Sequence, residues 1–288
     1  MPRKTNKLTK QIIVTIAAII VVAGSAIYFN RVKIGELVFE LQKKGLPKAE
    51  NYDQVTKKIG FVDGQAQTID IIPLQADLKM PTKNPPSNSP LDYKRGEGNA
   101  PAEINLDVPF TTQAPFAIWD ALHDDACEEA SVIMAGHFIL EKTIPDAAYV
   151  DKEILRIVDW EDKNFGFSKD TDAQRTAEIL KTLYGLKNTE VKYGITMADI
   201  KAAVGQGHPV ILPLYGRGLN PYFRGGGPLY HMVVVKGYTK DGQFITNDPG
   251  TKRGKDYVYA ADFLFNAIHD WNGGDVLNGK KAMIIVRE

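Results

Sequence analysis

The chain has 288 residues, a length that fits one or two domains. Lys plus Arg and Asp plus Glu both number 35, so the formal net charge is zero and a nucleic-acid binder with a basic surplus is not expected. Hydrophobic residues make up 44% and Cys127 is the single cysteine, which excludes wholesale disorder, an intramolecular disulfide scaffold and a Cys-rich zinc site.

An uncharged apolar run at residues 11–29 follows four basic residues within positions 1–10. At a rise of about 1.5 Å per residue the run spans roughly 28 Å, close to the hydrocarbon thickness of a bilayer. The sequence therefore predicts a basic cytoplasmic N-terminus over 1–10, a single transmembrane signal anchor over 11–29 and an extracytoplasmic remainder. The alternative is a cleaved signal peptide with the small residues 23–26 as its site, which would make the protein secreted.

A juxtamembrane region at 30–79 follows. Its first part places apolar residues at helical spacing, which predicts a stalk helix: Ile34, Leu37, Val38 and Leu41. The stretch 80–104 is Pro-rich and polar and predicts a linker. We therefore expect one folded domain over 105–288.

Within 105–288, helical patterns precede strand-like runs, an order typical of an α+β domain. The predicted helices lie at about 126–141, 151–162, 171–184, 197–204 and 260–270. The predicted strands are Pro209–Tyr215, Tyr230–Val235, Phe244–Asn247 and Ala282–Val286.

Cys127 lies at the predicted start of the first of these helices. Asp125 is a suitable N-cap and Glu128 completes an acidic capping box, which places Cys127 at the second helical position. The positive end of the helix dipole lowers a thiol pKa there, while the neighbouring carboxylates oppose that shift. A buried structural cysteine is the alternative.

Five histidines could supply a base for this thiol. His123 is four residues before Cys127, but no dense set of metal ligands accompanies it. His137 and His269 fall on helical patterns, and His208 falls in a turn. His231 opens an apolar strand, where a histidine is unfavourable unless it has partners, and Asp248 ends the next strand.

The segments Val108–Gln113, Cys127-Glu128, His231–Tyr238 and Asn247–Pro249, in this order, resemble papain-like cysteine peptidases of the bacteriocin-processing (double-glycine leader) peptidase-like family, in its stand-alone branch. The resemblance covers 105–288. It implies a papain-like α+β domain whose N-terminal helical part carries the cysteine and whose C-terminal antiparallel sheet carries the histidine and aspartate. It also implies Cys127 as nucleophile, His231 as base, Asp248 as the residue orienting the imidazole, and Gln113 as side-chain oxyanion donor.

These roles require a particular strand register. A two-residue Asp241-Gly242 turn would pair Val235 with Asp248 and leave His231 roughly 13 Å away at strand rise. The catalytic pairing therefore predicts a wider loop or a bulge, with both side chains on one face.

The apolar run at 11–29 and the resemblance over 105–288 together imply a membrane-anchored, extracytoplasmic thiol protease that hydrolyses peptide or amide bonds, with no cofactor or metal expected. Expected partners are peptide or cell-wall peptide substrates, the membrane and a separate peptide exporter, but no nucleic acid. A peptidoglycan amidase or endopeptidase, a transpeptidase and a catalytically inactive surface-anchored binding module are alternatives on the same fold. A prosegment function for the region before 105 is a further hypothesis.

Overall fold

The computed structural model of the protein describes residues 37–59 and 101–288. No helix in these two ranges is long and apolar enough to cross a membrane. The predicted span at 11–29 and the basic segment at 1–10 lie outside the described residues, as does most of the predicted linker.

The helices of the domain follow the predicted ones to within a few residues at most of their ends. Residues 37–44 are helical (α1). They are followed by α2 (Tyr52–Ile59), α3 (Cys127–Ile139), α4 (Ala147–Asn164), α5 (Ala173–Leu183), α6 (Met197–Gly205) and α7 (Ala261–Ala267).

One antiparallel sheet of seven strands forms the other half of the domain. Its strands are β1 (Ile104–Asn105), β2 (Glu190–Tyr193), β3 (Val210–Tyr215), β4 (Tyr230–Tyr238), β5 (Phe244–Asn247), β6 (Tyr257–Tyr259) and β7 (Ala282–Ile285). The order is β2-β7-β3-β4-β5-β6, and β1 also pairs with β4. The predicted α+β class with an antiparallel sheet is confirmed. The strands β1, β2 and β6 were not predicted: β1 and β6 have only two and three residues, and β2 alternates polar residues with half-buried or exposed ones.

The helix α3 is the centre of the core. Every residue from Cys127 to Ile139 is buried, because β4 covers one side of the helix and α4 and α5 pack on the others. A helix that is buried all round needs apolar or internally paired residues on every face. The packing of α3 on β4 brings the first turn of α3 to the strand that begins Tyr230-His231.

The β4–β5 connection contains the predicted irregularity. Tyr238 pairs with Phe244 and Val235 pairs with Thr246, with a register shift between Val235 and Gly237. Continuing the register would place Asp248 opposite Val233, between the tight-turn and wide-loop predictions. Because alternate residues share a face, His231 then lies diagonally opposite Asp248, within reach of its side chain.

The segment 37–59 packs against the domain and is not a free stalk. Glu50 forms a bridge with Leu106, and its backbone carbonyl accepts a 2.6 Å hydrogen bond from Asp107 N. Val55 is 2% exposed. The predicted apolar face of the stalk helix is largely solvent-exposed in the described residues Leu37, Val38 and Leu41, whereas Phe39 is buried against the rings of Tyr222 and Tyr257. An aromatic contact on the neighbouring face therefore fixes the orientation of α1.

Candidate active site

His231 and Asp248 form a buried ion pair at the end of the sheet. His231 Nε2 lies 2.8 Å from Asp248 Oδ1, and both side chains are fully buried. This contact fixes the orientation of the ring and assigns Nε2 as the nitrogen that carries a proton toward the carboxylate. The structure thus brings two of the predicted site residues into contact, diagonally across β4 and β5 rather than directly paired.

Asp248 is satisfied by four donors. Besides His231, the backbone N–H of Gly250 donates to Oδ1 at 2.9 Å, and Oδ2 accepts from Asn220 Nδ2 at 3.0 Å and from Tyr259 Oη at 2.7 Å. Burial alone would raise the pKa of Asp248, but the charge of His231 and the hydrogen bonds together hold it below its ordinary value. Asp248 is therefore ionised at neutral pH.

His231 also lines a cavity, and its second ring nitrogen is unpaired in the described part of the chain. His231 Nδ1 has no hydrogen-bond partner among the described residues. The ring packs edge-on against Phe223, with centroids 4.9 Å apart, and Gly250 lies beside both rings. A methyl group added at Gly250 would lie 2.6 Å from Phe223 Cε1 and 3.0 Å from His231 Cε1. Only glycine therefore leaves both rings in place.

Cys127 is the first residue of α3 rather than the second. The N-cap is Ala126, and no side chain caps the helix, so the predicted Asp125–Glu128 capping box is wrong. Residues His123–Asp125 form a 3-10 turn instead, and the Asp125 carboxylate turns outward to Lys169 Nζ at 2.7 Å. The ion pair with Lys169 competes with the capping interaction for the Asp125 side chain.

The Cys127 thiol is buried and protonated. It is 4% exposed, and its Sγ donates to Glu128 Oε2 at 3.0 Å. Burial and the Glu128 carboxyl raise the pKa of the thiol well above its ordinary value, and the backbone N–H of Met232 opposes that shift. Burial is the largest cause of the raised pKa of the thiol, and the neighbouring carboxylates raise it further.

Two further carboxyls lie behind Glu128. Burial and the charge of Glu161 raise the pKa of Glu129 well above its ordinary value. Burial also raises the pKa of Glu161, to about 8, against the opposing hydrogen bond with Glu129. The three carboxyls thus form a buried acidic cluster on α3 and α4, which the sequence analysis did not identify.

Gln113 lies at the site with its amide hydrogens engaged. Gln113 Nε2 donates to the carbonyls of His123 and Asp124, both at 2.9 Å, while Oε1 has no partner among the described residues. The backbone N–H of Gln113 donates to Pro249 O, which ties this loop to the end of β5. The predicted oxyanion role requires one of the two carbonyls to release its amide hydrogen.

A cavity of about 630 Å³ opens above these residues. Its walls include Gln113, Trp119, Phe223 and His231, and Cys127 is not among its lining residues. The Arg224 guanidinium lies over the Trp119 ring, 5.7 Å from its centroid. His231 therefore lines the cavity, whereas Cys127 does not.

Of the remaining histidines, His123, His137 and His269 make polar contacts, whereas the buried Nδ1 of His208 has no hydrogen-bond partner among the described residues. His123 lies between Asp120 and Asp151, at 2.8 and 3.1 Å. His137 Nδ1 lies 2.8 Å from Ile133 O, one helical turn back. His231 is thus the histidine of the described residues that combines a buried carboxylate partner with an unpaired ring nitrogen and that lines the cavity.

Several site residues were missed in the sequence. Asn220 and Tyr259 donate to Asp248, Phe223 and Gly250 hold the imidazole, and Glu128 bonds the thiol. The Asn-Pro step at 220–221 and the alternating aromatics of β6 were available signals, but neither indicates a contact with a residue so distant along the chain.

Comparison with known proteins gives a family match. Residues 105–273 match the family model described as Peptidase_C39 like family. No curated protein matches the chain significantly.

Among solved structures, a putative C39-like peptidase from Bacillus anthracis has 13% sequence identity and a TM-score of 0.37, covering 65% of this chain and 98% of its own. A prointerpain A fragment from Prevotella intermedia has 16% identity and a TM-score of 0.32, covering 48% of this chain and 41% of its own. The active wild-type interpain A cysteine protease of the same organism has 19% identity and a TM-score of 0.30, covering 48% and 55%. The chain thus spans about half or less of the length of the interpain structures.

Proposed function

The chain belongs to the Peptidase_C39 like family, and from this premise we propose that it is a membrane-anchored, extracytoplasmic cysteine peptidase that hydrolyses peptide or amide bonds. One observation carries the proposal: the buried His231–Asp248 pair leaves Nδ1 of the imidazole without a partner among the described residues, on the strand against which the Cys127 helix packs, and His231 lines a cavity. An imidazole held by a carboxylate on one nitrogen is suited to exchange a proton through the other.

The chemistry follows from these positions. Cys127 transfers its thiol proton to His231 Nδ1, and the thiolate attacks the carbonyl carbon of the scissile bond. The protonated imidazole then gives the proton to the leaving amine, and water hydrolyses the thioester. Asp248 keeps the ring in the required tautomer and stabilises its charged form throughout. For these reaction steps to occur, Cys127 Sγ must turn from Glu128 toward the His231 imidazole.

Oxyanion stabilisation needs donors close to Cys127. The first-turn N–H groups of α3 have no partners within the helix and are suited to this role. Gln113 is the proposed side-chain donor. Its amide lies at the cavity wall and becomes available when one of its two carbonyl contacts exchanges for the substrate oxygen.

The proposed location depends on residues 11–29. Their length and lack of charge, with the preceding basic residues, are typical of a signal anchor. Membrane fractionation of the full chain, with protease protection of intact cells or spheroplasts, tests this part separately. We expect the protein in the membrane fraction and the domain accessible from outside. Recovery in the soluble culture fraction would instead indicate a cleaved signal peptide.

The activity is tested with the full chain in detergent, assayed against a peptide library and against peptidoglycan fragments. We expect hydrolysis that is lost in Cys127→Ala and in His231→Ala while both variants remain folded. Cys127→Ser is a matched control for shape, because it keeps the size of the side chain but lacks a readily ionised thiol.

The other outcomes separate the alternatives. Cleavage confined to peptidoglycan fragments would identify an amidase or endopeptidase, and transfer to an added amine would identify a transpeptidase. Binding of peptides without turnover, unchanged in Cys127→Ala, would contradict a peptidase and indicate a binding module. A separate exporter is tested by cross-linking from the full chain in membranes.

A further inference from the structure

The side chain that bonds the nucleophile is Glu128, not His231. Cys127 Sγ donates to Glu128 Oε2 at 3.0 Å, and the two residues are 4% and 1% exposed. His231 Nδ1 has no hydrogen-bond partner within 37–59 and 101–288. The thiol proton therefore points toward a carboxyl that the triad does not include.

We propose that Glu128 is a positioning residue for the nucleophile, whose carboxyl holds the thiol proton of Cys127 in the resting enzyme. The inference rests on the proposed function in that it takes Cys127 as nucleophile and His231 as its base. It adds a third group whose charge decides whether that base can receive the proton.

The surroundings of the pair are mostly acidic. The titratable and charged groups facing it come from four parts of the domain: Glu129 on α3, Glu161 on α4, Lys169 and Asp170 in the loop before α5, and Tyr230 on β4. Lys169 is engaged by Asp125, so its charge is largely neutralised. A thiolate and a carboxylate side by side here would be two buried negative charges, which is strongly unfavourable.

Because two adjacent buried negative charges are unfavourable, the charge of Glu128 controls the transfer of the thiol proton. On activation the S–H bond of Cys127 breaks, its electron pair stays on sulfur, and the proton forms an N–H bond at His231 Nδ1. An ionised Glu128 opposes this transfer, because the thiolate would form beside a carboxylate. A protonated Glu128 permits it, because its hydroxyl can donate to the thiolate. Glu128 therefore restricts the reactive thiolate to the pH range in which its own carboxyl is protonated.

The test measures the thiol directly. Full-length wild type, Glu128→Gln and Glu129→Gln, in detergent, are alkylated with iodoacetamide over a pH series, and labelling of the single thiol is followed by intact mass. We expect Glu128→Gln to label about tenfold faster or more on the alkaline side, equivalent to a thiol pKa lower by about one unit, and to match wild type at the acidic end. Glu129→Gln is the matched control, because it removes a buried carboxyl one residue further on that faces Glu161 instead. We expect it to stay within about threefold of wild type at the same pH, less than half a pKa unit.

Three results would overturn the inference: equal labelling of Glu128→Gln and wild type at every pH, slower labelling of Glu128→Gln, or equal acceleration by both substitutions. If Glu128→Gln does not fold, Glu128→Asp keeps the charge but withdraws it from sulfur, and an intermediate acceleration is expected; no acceleration counts against the inference. Peptide turnover by wild type is measured in parallel. Absent turnover with the labelling shift intact contradicts the proposed function alone, and turnover without the shift contradicts this inference alone.

Discussion

The two sides of the candidate site bury carboxyl groups to a similar extent and ionise them differently. On the sheet side, Asp248 accepts four hydrogen bonds and its pKa is lowered despite burial. On the helix side, burial raises the pKa of Glu128, Glu129 and Glu161, which have other carboxyls as neighbours. The hydrogen-bond donors supplied by the fold, not the depth of burial, therefore decide the charge of a buried carboxyl here.

The largest losses of stability and turnover are expected from a substitution on the sheet side, at Asp248. Asp248→Ala removes the acceptor of four donors and the partner of a buried imidazole, so we expect the free energy of unfolding to fall by about 3 kcal/mol or more. Peptide turnover should fall by about 10³- to 10⁴-fold, because the ring loses its orienting partner. Denaturant unfolding and turnover assays measure both.

The control for this substitution is Asp262→Ala, on the exposed first turn of α7. We expect its unfolding free energy to lie within about 0.5 kcal/mol of wild type. An Asp248→Ala protein as stable and active as this control would contradict the account of the sheet side.

On the helix side, we expect the free energy of unfolding to fall as pH rises, which is the opposite of the dependence expected from Asp248. The folded-state pKa of Glu161 is raised to about 8 from an ordinary 4.5, so its contribution to stability is complete below about pH 4.5 and is lost as pH rises toward 8. The loss approaches about 1.4 kcal/mol per pH unit in that window.

Glu161→Gln cannot ionise, so we expect it to flatten this decline and to be more stable than wild type at pH 8. Denaturant midpoints from about pH 5 to pH 8 measure the slope. The exposed Glu178→Gln on α5 should leave the slope unchanged. A Glu161→Gln protein that keeps the full wild-type slope would show that the carboxyl cluster is not protonated in the folded state.

A substitution at Gly250 tests the orientation of the His231 ring without changing the charge of Asp248. The added methyl group of Gly250→Ala would overlap Phe223 and press on the His231 ring, while Asp248 stays intact. We expect a loss of about 10²-fold in turnover from a displaced imidazole. Gly45→Ala is the control, because its added carbon meets only Gln42 O at 3.8 Å. Equal turnover of the two variants would contradict a positional role for Gly250.

The sequence predicted the sheet side better than the helix side. His231 was identified because a histidine in an apolar strand requires partners, and the β4–β5 bulge was identified because Asp248 needed to reach it. The family relationship expected from four short segments is confirmed by the match over residues 105–273.

The geometry of the helix side depends on contacts between residues far apart in the chain, which no local sequence pattern predicts. The capping prediction failed because Lys169, forty-four positions away, binds Asp125. The thiol pKa depends on the side to which Glu128 turns, and this is set by the packing of α3 against three other elements. Asn220 and Tyr259 were missed for the same reason, since each reaches Asp248 across the fold.

The smallest loss of stability is expected when a single hydrogen-bond donor to Asp248 is removed. Tyr259→Phe removes one of the four donors to Asp248, the hydroxyl at 2.7 Å, and leaves Asn220 on the same oxygen. We expect a loss of about 1–2 kcal/mol at neutral pH. Tyr257→Phe is the control on the same strand, because no hydrogen bond of its hydroxyl occurs among the described residues.

The pH dependence of this small loss identifies its origin. The lowered pKa of Asp248 contributes stability above its unfolded-state pKa of about 3.8, and this contribution is lost as pH falls through the folded-state value. The difference between Tyr259→Phe and wild type should therefore shrink in acid, where Asp248 becomes protonated in both proteins. A difference that stays constant down to acid unfolding would assign the loss to packing of the hydroxyl rather than to the carboxylate, and donors would then not explain why this side of the site is ionised.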